Sequence, residues 1–175
     1  MSFSLYDALI PNFRQGVGAV RALIDKAESF CAERGLDPDD LIQARLAEDM
    51  LPFAYQVKSV AVHSAGAIEG VRRGQFSPDS SAPPASFAAL AARMDETAAA
   101  LDAVSPDEVH AFIAGDMAFV AGERRIPFAA EDFLLSFSLP NFYFHATTAY
   151  DILRWKGLPL GKRDYMGRLR IKAPT

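Results

Sequence analysis

The stretch LPNFYFHATTAYDILR, residues 139–154, is closed by Gly157 and Pro159 and decides the fold. It reads as a helix bracketed by Pro140 and Gly157, aromatic almost all round, with one histidine, His145, near its start. A solvent-facing helix of a small monomer shows a polar side, and this one offers little beyond Thr147, Thr148, Asp151 and Arg154. The reading therefore places it centrally or under a partner.

Working outward, residues 5–34 carry Tyr6, Ile10, Phe13, Val17, Val20, Ile24, Ala27 and Cys31 at steps of three and four, the pattern of an amphipathic helix. Gly35 ends it, and Pro11 predicts a kink or a later start. Asp37-Pro38-Asp39-Asp40 then announces a second helix. Its stripe is Ile42, Leu46, Met50, Phe53, Val57, Val60, Ser64, Ile68 and Val71, running to Gly74 with a bend at Pro52. Residues 75–85 (QFSPDSSAPPA) form a Ser/Pro-rich linker.

A third helix from Ser86 to Leu101 turns Phe87, Leu90, Met94, Thr97 and Leu101 inward, and Ser105-Pro106-Asp107-Glu108 caps a short one through Ile113. Residues 116–128, with Gly122 between apolar flanks, read as a β-hairpin whose Pro127 is confined to an edge. A helix from Ala130 precedes Pro140. The sum is an all-α fold, an antiparallel four-helix bundle with a short β-hairpin before the last long helix.

Composition sets the class. The chain has 175 residues, half of them apolar, and a net charge of −4, which suits one domain over 1–175 and favours neither nucleic acid nor membrane as a partner. No apolar run reaches membrane-spanning length and no leader pattern is present, so the expectation is a soluble cytoplasmic protein. The single cysteine, Cys31, has apolar neighbours at helical spacing and reads as an inert core residue. Residues 158–175 form a basic C-terminal tail of net charge +4 against −8 for the rest. It is expected to lie against an acidic face of its own subunit or of a partner.

Several polar residues could carry chemistry. Arg45, Asp49, Gln56 and His63 form a file along one flank of the second helix. Asp49 and His63 stand about 21 Å apart along its axis, too far for one coordination shell. His63 and His145 each lie beside a core stripe, so facing helices could bring their rings together as metal ligands. At i+4 from His145, where a second imidazole would serve the same metal, stands Ala149. Thr148 and Tyr150 are near enough in sequence to bond a water or a ring nitrogen. His110 is expected at the surface. Gly16 and Gly18 sit in a helical pattern and point to close helix packing, and no nucleophile elbow or phosphate loop occurs.

LPNFYFHATTAYDILRWKGLPLGKRDY (139–165), ARLAEDMLPFAYQV (44–57) and SLYDALIPNF (4–13) together resemble a bacterial domain-of-unknown-function family. That family is similar to the DinB/YfiT-like superfamily of helical bundles, whose members often hold a divalent metal with three histidines, in some branches for thiol-dependent transfer or hydrolysis. The resemblance implies a homodimeric bundle. It places His63 at the histidine of the second helix and His145 at the first of a pair on the last helix, with Ala149 at the second. Two main functions follow. One is a homodimer joined through the last long helix, without a complete metal site, binding a small ligand in the bundle. The other is a divalent-metal enzyme of transferase or hydrolase type with His63 and His145 as ligands. A third reading makes the chain an interaction protein acting through its basic tail.

Overall fold

The computed structural model describes residues 3–172. Helix α1 spans Leu5–Arg34; Ser4 caps it by accepting from the Asp7 N–H at 3.2 Å, while the Asp7 carboxylate accepts from the Ser4 N–H at 3.0 Å. The helix begins before Pro11 and runs through it, so the later start predicted from that proline does not occur. Gly35, at φ 63°, closes it in the left-handed region.

The expected second helix is three pieces: α2 (Asp39–Ile42), α3 (Phe53–Val62) and α4 (Ala65–Arg72). Pro52 does not bend a helix; it caps one. It has no N–H to give and disfavours helical geometry at Leu51, so the chain between α2 and α3 is irregular, with Leu46 exposed rather than in a stripe. The second break falls at Ser64, whose hydroxyl donates to the Val60 carbonyl at 2.7 Å in competition with the helix ladder. That break leaves His63 at the C-terminus of α3.

Strand β1 (Gln75–Phe76) occupies the start of the predicted linker and pairs parallel to β2 (Asp116–Ala121). The hairpin is present: β2 pairs antiparallel with β3 (Arg124–Ala129), and Gly122 turns at φ 58°. Pro127 lies on the edge strand, as expected. The protein is thus mostly helical with a three-stranded sheet, where the sequence predicted two strands. The third was concealed because a two-residue strand has no measurable period.

Helices α5 (Phe87–Asp102) and α6 (Pro106–Ala111) follow their caps at Ser86 and Ser105. From Ala130 the chain runs as α7 (Ala130–Asp132), a π-helical segment (Phe133–Ser138) and α8 (Leu139–Trp155), without the break expected at Pro140. The wider π turn lies immediately before a proline that cannot donate to a preceding carbonyl. α9 (Lys162–Met166) lies in the C-terminal segment.

α1 packs along α5 and α8, and α3 packs along the same two helices, around a core centred on Phe13, Phe53, Phe133 and Phe142. Gly16 permits the closest approach: a methyl there would stand 2.6 Å from the Phe142 ring. Gly18 has open space around it, so close packing does not explain it. Cys31 is buried in this core, which pushes its thiol pKa up.

Within the chain, helix α8 is covered on one side. Phe142, Ala146, Ala149, Ile152 and Leu153 face inward, while Tyr143, Phe144 and Trp155 are exposed.

The basic tail packs on its own subunit, and the contacts that hold its described residues are mostly apolar and backbone ones. Leu158 and Leu160 are buried, Gln15 donates to the Met166 carbonyl at 2.8 Å, and Arg170 donates to the Pro11 carbonyl and Asn12 Oδ1 at 2.6 and 2.7 Å. Its ion pair runs the other way, Asp164 of the tail accepting from Lys26. Residues 173–175 of the tail lie outside the described residues. Among the described residues no helix is long and apolar enough to cross a membrane.

Candidate paired-histidine site

Helix α3 is apolar on nearly every side, FAYQVKSVAV, and is wedged between α5 and α8. Among the polar residues that this burial carries into the interior are Gln56 and Lys58, at 2% and 3% exposure. Buried polar groups must find partners, and these two organise the site.

Gln56 Nε2 donates to the Leu51 carbonyl at 2.7 Å, which fixes the amide and turns its Oε1 toward His145 Nδ1, also at 2.7 Å. The hydrogen-bond network thereby assigns the His145 proton to Nδ1, leaving the Nε2 lone pair free. His63 stands beside it, with ring centroids 5.7 Å apart and planes within 13° of parallel. Phe76 and Phe137 flank His63 at 5.5 and 5.8 Å, and Tyr55 and Phe144 flank His145 at 6.0 and 5.2 Å. The Nδ1 of His63 is buried and, among the described residues, has no hydrogen-bond partner. Burial holds the pKa of both rings down to about 4, and for His63 the neighbouring His145 adds to the effect. Both are neutral at pH 7.

The rings open on a cavity of about 220 Å³ lined also by Tyr55, Ser59, Phe119 and Asn141. One wall is the loop 77–85, held by Lys58. Its ammonium donates to the carbonyls of Asp79 and Ser81 and pairs with the Asp79 carboxylate at 3.1 Å, so its donors are spent. Burial alone would raise the Asp79 pKa, but hydrogen bonds from Ser81 and Lys58 outweigh it and hold the group below its usual range. Lys58→Met should lower stability by about 2 kcal/mol, discounted because the Asp79 side chain is 33% exposed. Urea unfolding and hydrogen exchange over residues 77–85 measure it, and unchanged exchange in the loop would show that Lys58 does not hold it.

Of the predicted polar file, only Gln56 and His63 reach the site. Arg45 and Asp49 are exposed in the irregular segment before Pro52, with Arg45 directed to the Glu48 carbonyl. Thr148 donates to the Phe144 carbonyl, and Tyr150 packs on Tyr165, so neither serves His145. His110 is exposed. Lys58, Asp79 and Asn141 were missed. The available signal was Lys58 itself, the sole charge in an otherwise uncharged helix.

The resemblance implies a divalent metal, and the side chains present do not fit one of the three-histidine kind. Ala149 is fully buried in the core, the Asp79 carboxylate is already paired with an ammonium, and His63 Nδ1 is closed off. Among the described residues no three His, Cys, Asp or Glu side chains gather as such a centre requires.

Residues 5–166 match the family described as Domain of unknown function (DUF1993). The chain belongs to the DUF1993 family. A structural relative of this DUF1993 chain is the crystal structure of a DinB family member protein from Shewanella denitrificans, 28% identical, with a TM-score of 0.79 over 97% of this chain and 96% of that one. The DinB-like resemblance read from the sequence is thus borne out. No curated protein matches this DUF1993 sequence.

Proposed function

We propose that this DUF1993 protein is a DinB-like four-helix bundle, formed by α1, α3, α5 and α8, that binds a small ligand in the His63–His145 cavity without a resident metal. The observation that supports this reading is the pair itself: two neutral imidazoles, one oriented by Gln56, open on an aromatic cavity where, among the described residues, no third histidine stands and Asp79 is already paired with Lys58. Recognition suits the site better than proton abstraction, since a ring whose pKa is held near 4 is a weak base at neutral pH. Elemental analysis of untagged protein tests the metal-free part. Nickel, zinc, iron and manganese are expected well below stoichiometric; a stoichiometric metal that His145→Ala abolishes would instead establish a resident metal at the pair and overturn the metal-free reading.

The same reading makes the protein a homodimer through α8. Phe144 and Trp155 are 57% and 63% exposed on that helix, and their burial would supply the apolar centre of an interface. Light scattering at micromolar concentration should give twice the chain mass, and Phe144→Glu with Trp155→Glu should return it to one. A wild-type monomer would remove the dimer.

A further inference from the structure

The tautomers of the two rings decide what the paired site can offer a ligand. His145 gives its Nδ1 proton to Gln56, so its Nε2 presents a lone pair. For His63 the deciding atom is the buried, unpartnered Nδ1. A buried N–H without an acceptor is rarer and more costly than a buried lone pair without a donor, so the His63 proton belongs on Nε2. The two rings, nearly parallel with centroids 5.7 Å apart, both line the cavity, and on this assignment one brings an N–H to the pair and the other a lone pair.

We propose that the cavity selects an uncharged planar group carrying a hydrogen-bond acceptor next to a donor, a lactam or primary amide, on a flat apolar body. The inference rests on the ligand-binding reading above. Phe76, Phe119 and Phe137 form the apolar wall that such a body would pack against. A carboxylate is the natural competitor, and it fits worse. It brings two acceptors, so one oxygen would face the His145 lone pair, and the nearby Lys58 ammonium already serves three oxygens. A ligand with an acceptor alone would leave the His145 nitrogen dry and unpaired.

The test is nitrogen NMR of the full chain with ¹⁵N-labelled histidine, titrated with 2-pyridone, N-methyl-2-pyridone and benzoate. In the free protein the proton should sit on Nδ1 of His145 and Nε2 of His63. 2-Pyridone should shift both rings, and its N-methyl form, which has lost the donor, should bind about tenfold more weakly, as should benzoate. Gln56→Leu should release His145 into a mixture of tautomers and remove the discrimination between the first two compounds while the protein still unfolds cooperatively. A His63 proton on Nδ1, or equal binding of the two pyridones, overturns the donor–acceptor assignment and leaves the cavity as a ligand site. Failure of all three compounds to shift either ring at millimolar concentration overturns both.

Discussion

Phe142→Ala is expected to destabilise the protein by about 3–5 kcal/mol, the range for removing a buried aromatic ring from a packed core. Phe142 is fully buried where α8 meets α1, edge-on to Phe13 with centroids 4.9 Å apart. Its ring end lies in the notch left by Gly16, where an added Cβ would stand 2.6 Å from one ring carbon and 2.7 Å from the next. Gly16→Ala alone should therefore cost about 1–3 kcal/mol through overpacking, although alanine gains about 1 kcal/mol of helix propensity over glycine. The sign of the Gly16 effect should reverse once the ring is gone: in the Phe142→Ala background the new methyl occupies vacated space. Urea unfolding of the four proteins in this cycle gives the coupling. Strict additivity would show that the ring does not seat on Gly16.

Acid should weaken the fold through the histidine pair. The unfolded rings bind protons near pH 6.5, and the folded rings do so only near 4, because burial penalises the charged form. Between those values the unfolded state carries more protons, so stability is full above about pH 6.5 and falls as the pH drops toward 4. A shift of that size corresponds to about 3 kcal/mol for a single ring. The second ring adds less than that again, since the two titrate against each other. The measurement is the unfolding free energy of wild type and of His63→Gln at several pH values across that window. The wild type should lose stability more steeply. Parallel curves would mean that His63 is not held neutral by burial.

The helical class was legible in the spacing of α1 and α5, because both are amphipathic and capped by Ser4 and Ser86. The region from Asp37 to Gly74 was not. Its apolar residues keep a helical period across Pro52 and Ser64, while the backbone there follows local rules: a proline that starts a helix and a buried serine hydroxyl that competes for carbonyls. The same breaks explain why the polar file dissolved, since Arg45 and Asp49 belong to the irregular stretch. His63 and His145 could be paired from their positions beside two core stripes. The partners that orient and enclose them could not, because Gln56 to His145 and Lys58 to Asp79 are contacts made only when α3 is buried on nearly every side. The sequence of α8 is aromatic almost all round, and the packed helix turns Phe142 inward and Phe144 outward.

A crystal structure of the untagged protein, with anomalous data at the metal edges, would decide whether the histidine pair works without a metal. The His63 and His145 rings should stand near-parallel with centroids close to 5.7 Å, with Gln56 bound to His145 Nδ1 and no anomalous peak at either ring. A peak within about 2.2 Å of a nitrogen of both rings, the distance of a coordinated metal, would contradict it.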